Sequence, residues 1–479
     1  MKRAGFLLVV QILIYGISSA QSGGQLGEEV RQFVKIDAPV VALQHVLLID
    51  GSGAPPREDQ TIVLEGGKIK AVGDFATTAV PNAAQRLDLN GYTVIPGLVG
   101  MHDHMYYPTP GGAPPMYQEQ VTSFPRLYLA GGVTTIRTTG SVEPYSDLSI
   151  KHAIDQGKMA GPKMHLTGPY LDGAGSWAPQ IHELKDAVDA ERTVEYWIAE
   201  GITSFKAYEH ITREELSAAV NTAHSHGMKV TGHLCSIGFR EAAVIGIDNL
   251  EHGLVVDTEF FSKKRPGECP GESSVEMAAS LDVESQSVQE MITDLVAHHV
   301  AVTSTLPVFE TFVPNRAPIS GRVLDAMSSE ARISYLTIRA RISDNAAKSI
   351  WIALFKKELQ FEYAFAKAGG LLLAGLDPTG YGGVIAGMGD QREVELLVEA
   401  GFTPVEAIHI ATFNGAKFLG ELDRIGTVVP GKDADLVVIN GNPATNITEI
   451  EKVEIVFKDG IGYDSAKLID SVKGLVGLR

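Results

Sequence analysis

The sequence predicts an α/β fold: a (β/α)8 TIM barrel beside a small β-sandwich built from both chain ends. Three observations predict it. Short apolar runs separated by Gly turns fill the two ends of the chain. The middle repeats one unit eight times, a helical segment, a Gly or polar cap and a buried β run. Ionisable residues then stand at the C-terminal ends of those β runs, where a barrel gathers its functional groups.

Residues 1–20 read as a signal peptide. Lys2-Arg3 are basic, residues 6–17 are apolar, and Ser18-Ser19-Ala20 form a small-residue cleavage site. The apolar run is too short to span a bilayer comfortably, and no other long one follows. The expected location is the periplasm or the exterior, with cleavage near Ala20–Gln21 and no membrane association afterwards. Residues 21–36 are polar and read as a loose leader. Residues 37–97 carry β runs at 40–43, 45–50, 61–64, 69–72 and 86–89, with a turn at Gly51-Ser52-Gly53-Ala54-Pro55-Pro56. Residues 421–466 supply the other part of the sandwich, with runs at 434–439 and 453–457 before the turn Asp459-Gly460. Residues 467–479 are left as a tail.

Between them, residues 98–420 hold the barrel. Its β runs lie at 94–102, 133–137, 163–167, 202–206, 228–233, 247–252, 299–305 and 371–377. A doubly wound open sheet is the rival, but no Gly-x-Gly-x-x-Gly follows any of these runs. The wide gaps after His252 and after Thr303 locate insertions. Residues 263–274 are Gly/Pro-rich, residues 307–321 read as a loop over the mouth, and residues 333–368 read mainly as helix. Specificity is expected in residues 106–123, 168–182, 255–280 and 307–321. Tyr106, Tyr107, Met116, Phe124, Tyr170 and Trp177 point to a pocket that accepts apolar or aromatic groups.

Formal net charge is −18, and −20 once Lys2 and Arg3 are removed, which argues against nucleic acid or anionic membrane as a partner. Only two cysteines occur, Cys235 and Cys269. With no framework of further cysteines around them, they are expected to stay unpaired.

His102 and His104 are two apart on a strand, so their imidazoles leave on one side and converge, as two ligands of one metal must. The other strand ends carry Lys206, His233, His252 and Asp377. Four imidazoles, a lysine and a carboxylate in one mouth are a functional cluster, not packing. His224, His226, His298 and His299 precede strands on the far face, and His152, His182 and His409 read as surface. His165 and His210 stand open between substrate contact and a structural role. Tyr208 is a candidate hydrogen-bond donor to a developing oxyanion. Arg137 is the nearest cation for a substrate carboxylate, or else the partner of an internal acid.

Residues 37–466 resemble the metal-dependent amidohydrolase superfamily, in the subtype with a binuclear centre bridged by a carboxylated lysine. The resemblance rests on Val94-Ile95-Pro96-Gly97-Leu98-Val99 before His102-Asp103-His104, on the split sandwich, and on Gly426-Thr427-Val428-Val429-Pro430-Gly431-Lys432-Asp433-Ala434-Asp435-Leu436. Within the superfamily it is most similar to the imidazolonepropionase-like, Xaa-Pro dipeptidase-like and ochratoxinase-type branch. The resemblance implies two divalent metal ions, expected to be Zn2+. His102, His104 and Asp377 would hold one, His233 and His252 the other, with modified Lys206 between. An ordinary lysine would be an ammonium and would repel two dications, whereas carboxylation by CO2 makes it an anion with two oxygens. Two such ions share a hydroxide and make it a nucleophile, and Asp377 takes its proton and passes it to the leaving amine. Asp103 between the histidines and Gly100-Met101 before them depart from the commoner Asp-x-His-x-His pattern. That departure predicts altered groups around the ligands and no loss of metal.

The expected activity is therefore exported, metal-dependent hydrolysis of a small-molecule amide, dipeptide-like or an N-acyl amino acid, by a homo-oligomer. A cyclic amide or lactone hydrolase is the alternative within enzymes. A non-catalytic interaction protein on the same barrel would be expected to have lost ligands, and all six are present.

Overall fold

The computed structural model describes residues 26–111, 116–271 and 273–478. The expected signal peptide lies outside the described residues. Eight parallel strand positions make the barrel wall: Leu98–Asp103, Val133–Thr138, a third split into Lys163–His165 and Thr167–Leu171, then Ser204–Ala207, Lys229–Gly232, Asn249–Glu251, Ala301–Ser304 and Leu372–Ala374. The third changes partner midway, pairing first with strand two and then with strand four. Strands eight and one meet through the Leu376 and Asp377 amides, which donate to the His102 carbonyl at 3.3 and 3.0 Å. Gly375 permits that approach, because a Cβ there would stand 2.6 Å from the His102 nitrogen.

The strands are buried on both faces, as parallel strands wrapped by helices must be. Local signals set the helices. Ala187–Glu200 starts where the Asp186 side chain accepts the Asp189 amide, and it ends on Gly201 at φ 101°. Arg213–Ser225 starts on a reciprocal Thr212–Glu215 cap.

The two chain ends share one nine-stranded sheet. Leu436–Asn440 pairs antiparallel with Tyr92–Pro96, the strand that runs directly into barrel strand one. Val41, Leu43, Ile62, Leu64, Val94, Val438 and Phe457 share its core. Lys163 of the barrel fastens the two units, its Nζ lying 3.0, 2.9 and 2.8 Å from the carboxylates of Asp433, Asp435 and Asp459.

Four expectations need correction. The described part of the polar leader carries regular structure: Glu28–Arg31 is helical and Val34–Ile36 pairs antiparallel with Ile461–Asp464. Of its sparse apolar residues, Val30, Phe33 and Ile36 are buried, and Leu26 and Val34 pack half-buried beside them. The tail is a structural element too. Ser465–Asp470 is a helix, and Val476 exchanges backbone hydrogen bonds with Ala326 and Ser328 at 3.0 and 2.8 Å. The stretch expected as a loop over the mouth opens with a helix, Leu306–Phe312, with Pro307 in its first turn. Finally, Cys235 and Cys269 form a disulfide. The insertion after strand six folds back onto the end of strand five, a proximity that sequence separation does not reveal.

Helices Trp351–Lys367 and Met388–Ala400 bury Glu358, Glu362, Asp390 and Glu393 against the barrel. Ser304 Oγ donates to Glu362 at 2.8 Å, and the amides of Val255 and Leu306 donate to Glu358 and Glu393 at 2.8 and 3.0 Å. One oxygen of each glutamate has no partner. Burial lifts Glu358 to about 8 and Asp390 to about 7, and elsewhere Glu119 to about 9 and Asp147 to about 7.

Two predictions follow from this packing. The denatured, unreduced protein should show no free thiol, and reduction should cost about 2–4 kcal/mol in urea unfolding; two titrating thiols without reductant would contradict the disulfide. The raised carboxyls keep protons in the folded chain that the unfolded chain sheds near pH 4, so their stabilisation is complete below roughly that pH and is lost as pH rises through the folded values of about 7 to 9. Metal-free protein should accordingly melt at a lower temperature at pH 9 than at pH 6. A Tm that rises over that interval would mean these carboxyls are ionised in the fold.

Candidate metal centre

Strand alternation sends His102 and His104 to one side and Asp103 to the other. Lys206 stands in register with Tyr170 and Thr231 of the neighbouring strands. His252 and Asp377 follow strands six and eight with left-handed backbone, φ 69° and 52°. Non-Gly residues adopt that conformation rarely, and functional sites are where it is most often retained.

The six side chains nominated from sequence come together. Ring centroids are 5.2 Å apart for His102–His104, 4.5 Å for His102–His252 and 4.4 Å for His233–His252. Ligand atoms of His102, His104 and Asp377 all lie within 4.8 Å of one another. Lys206 Nζ is 3.2 Å from His102 Nε2. Asp377 Oδ1 is 3.6 Å from His104 Nε2 and has no hydrogen-bond partner.

The chemistry of the donors fits a metal. His102 Nδ1 contacts Glu251 Oε2 at 2.7 Å, His104 Nδ1 donates to the Gly140 carbonyl at 3.1 Å, and His252 Nδ1 meets Thr305 Oγ1 at 2.8 Å. The carboxylate and the carbonyl can only accept, so Nδ1 of His102 and His104 carries the proton and each of their Nε2 atoms keeps its lone pair for the centre. Burial holds all four imidazoles neutral, the form that binds metal. It acts with the Lys206 charge on His102, His104 and His233, the last pushed down to about 3, and with His233 on His252. An orphaned buried carboxylate oxygen among four neutral imidazoles is a poor packing solution and a good ligand set.

Below the ligands lies a charged floor. Arg137 is buried and donates through Nη2 to Glu251 Oε1 and Asn249 Oδ1, both at 2.8 Å, and through Nε to the Met101 carbonyl at 2.9 Å. Thr231 also donates to Glu251 Oε1. Arg137 is therefore the partner of an internal acid and does not line the cavity, which corrects its candidacy for a substrate carboxylate. Beside this floor, the departure at Gly100 has a steric account. A Cβ on Gly100 would collide with the Asp103 carboxyl, which is buried with both oxygens unpartnered. Burial and the neighbouring Asp390 carboxyl raise Asp103 well above the usual range, so it sits protonated in the space a residue 100 side chain would fill.

A cavity of about 260 Å3 opens above the centre, lined by His104, Lys206, His233, His252 and Asp377 among aromatic side chains. Tyr208 lines it and accepts a hydrogen bond from Trp177 Nε1 at 3.1 Å, which leaves its own proton free. His210 and His165 do not line it. His210 turns its Nδ1 toward Asp172 at 3.8 Å. His165 closes only the first half of strand three, which continues to Leu171, and its Nε2 meets Glu421 at 3.2 Å. Sequence reasoning missed Glu251, Glu209, Phe309 and Phe312. Glu251 carried a readable signal, since it shares a strand face with Asn249 one residue before a nominated ligand. Phe309 and Phe312 became visible only once Leu306–Phe312 proved helical.

Arg137→Met should lower unfolding free energy by about 3–5 kcal/mol, because Glu251 keeps a buried charge without its partner. KM for acidic substrates and for their amidated versions should shift alike. A KM rise confined to acidic substrates would put Arg137 back in the pocket.

The family model for the amidohydrolase family matches residues 93–259 and 373–461, more than half of the chain. A curated dihydroorotase from Elusimicrobium minutum is 24% identical over 400 residues, covering 80% of this chain and 84% of its own. Among solved structures, a Xaa-Pro dipeptidase with bound methionine superposes with a TM-score of 0.66 at 21% identity, over 89% of this chain and 100% of its own. An ochratoxinase from A. niger gives 0.63 at 18% identity, over 90% and 96%. With its mixed α/β barrel and its cluster of metal-binding side chains, this chain belongs to the amidohydrolase family and is a metal-dependent hydrolase acting on C–N bonds.

Proposed function

We propose that the protein is an exported hydrolase of linear amide bonds, in dipeptide-like or N-acyl amino acid substrates, with two zinc ions and a carboxylated Lys206. The observation that carries this reading is the Lys206 amine, 3.2 Å from His102 Nε2 inside a buried ring of ligands. Burial lowers this amine to about 8, so a useful fraction is neutral near physiological pH. A neutral amine attacks the carbon of CO2 and sheds a proton, giving an N-carboxylate. His102, His104 and Asp377 would hold one ion, His233 and His252 the other, and the Lys206 carboxylate would bridge them. When bound, the ions supply an activated water and polarise the scissile carbonyl.

The remaining work falls to the chain itself. Asp377, lifted by burial to about 6, is ionised at neutral pH yet basic enough to take a proton from the attacking water. It then returns that proton to the leaving nitrogen. Tyr208, whose hydroxyl proton is free, donates to the carbonyl oxygen as charge builds on it. Export is supported by the layout of residues 2–20 and by the Cys235–Cys269 disulfide, a bond that persists in oxidising compartments. The dihydroorotase relatives favour a cyclic amide as the second reading.

Asp377→Asn should retain much of its metal and lose about 10^2–10^4-fold in kcat. Near-native turnover at neutral pH would remove Asp377 from proton transfer. Lys206→Ala should lose metal and activity together by elemental analysis and assay, and apoprotein should reconstitute faster with bicarbonate than in CO2-depleted buffer. A fully metallated Lys206→Ala protein would overturn the bridge. Assay of a panel of dipeptides, N-acyl amino acids, cyclic amides and lactones decides between the two readings.

A further inference from the structure

The cavity wall is a nearly continuous surface of rings. Tyr106 packs on Tyr117 at 4.9 Å, Tyr117 on Trp177 at 5.8 Å, Trp177 on Tyr208 at 6.4 Å, and Tyr208 on Tyr170 at 4.9 Å. Phe309 and Phe312 add two more rings to the lining from their helix. Such rings offer negative faces, which attract cations more than they attract neutral groups.

One charged side chain on this wall has no place in the proposed chemistry. Glu209 lines the cavity, its side chain is 27% exposed, and its Oε1 lies 3.3 Å from Nε2 of the neutral His233. No lysine or arginine pairs with it among the described residues. Nor do the side chains outside the centre offer a cation to an anionic substrate: among the described lining residues Lys206 is the only Lys or Arg, and it belongs to the centre. Arg137 is sealed beneath the ligands. The formal charge of −18 pulls approaching cations the same way.

We propose that the cavity selects amides bearing an organic cation close to the scissile bond, an ammonium on a short apolar or aryl group, and that Glu209 is the residue that selects it. The cation lies among the ring faces with the Glu209 carboxylate as its counter-ion, and the 260 Å3 volume limits the group to the size of one or two residues. This deepens the amide-hydrolase reading and rests on it. The rival role for Glu209 is to orient His233 through Nε2, which would act on every substrate alike.

The test uses the metal-loaded full chain and a pair of non-reacting probes. Phenyltrimethylammonium cannot lose a proton or ligate a metal, and tert-butylbenzene is its neutral isostere. Binding is read by quenching of indole fluorescence. The ammonium should bind about tenfold or more tightly than the isostere. Glu209→Gln should erase that preference while leaving the isostere's affinity within about twofold. In turnover, dipeptides with a free amino group should lose kcat/KM on this substitution far more than their N-acetyl versions. Equal binding of the two probes by the unaltered protein overturns the proposal without any variant. So does a Glu209→Gln protein that keeps the probe preference and loses kcat on all amides equally, the signature of a positioning role. If the protein cleaves no amide at all, the hydrolase reading fails while the probe ranking remains readable.

Discussion

His102 presents its Nε2 to the centre because Glu251 takes its Nδ1, and Glu251 is able to be a buried carboxylate because Arg137 faces its other oxygen. Neither charge would be tolerated in this interior alone. Transferring an isolated ion from water to such a place costs several kcal/mol, and only close pairing with additional hydrogen bonds offsets it. Here the hydrogen bonds are supplied by Thr231 and Asn249 and by the Met101 carbonyl, so the pair touches strands one, two, five and six. The interaction therefore sets two things together, the tautomer of a ligand and the relative position of the strands that carry the other ligands. A change in one propagates to the other without passing through the cavity.

The small sheet is tied to the same strand. Tyr92–Pro96 is held on one side by Leu436–Asn440 and then passes through Pro96-Gly97 into Leu98–Asp103. The Gly97 amide donates to the Asp435 carbonyl at 2.9 Å, and Asp435 also holds Lys163 of strand three. The late motif around Lys432-Asp433-Ala434-Asp435 thus acts far from the cavity, as an anchor beneath strands one and three. This explains why a chain end contributes to a centre it does not touch.

What was legible in the sequence had a local cause. Glycines that end helices announce themselves because only glycine sits easily at φ near 100°, as at Gly201 and Gly246. Ligands at strand ends announce themselves because a barrel collects them on one face. What was not legible depended on contacts between distant segments. Cys235 and Cys269 meet because an insertion folds back, and nothing in their spacing says so. His165 ends an apolar β run, but the strand resumes after Leu166 with a new partner, so the true end is Leu171. Arg137 reads from sequence as a cation for a substrate carboxylate or for an internal acid, and the choice of Glu251 turns on depth within the barrel. The buried apolar residues of the two termini were too sparse to outweigh a polar composition.

The distribution of charge across the barrel wall shows how the fold separates chemistry from support. Away from the cavity the carboxyls of Glu358, Glu362, Glu393 and Asp103 are raised by burial, and in the neutral form they cost less to bury than carboxylates would. Inside, the four imidazoles are also neutral, for the same reason of burial, but their rings converge. An interior that has suppressed every nearby histidine charge presents Lys206 and Asp377 as its most responsive groups, one lowered to about 8 and the other raised to about 6. These are the two side chains the proposed chemistry asks to react or move a proton. Burial is the largest influence on each and, tempered by the opposite charge of the other, brings both within about a unit of neutral pH from opposite directions, so the desolvation that builds the core also prepares the reactive pair.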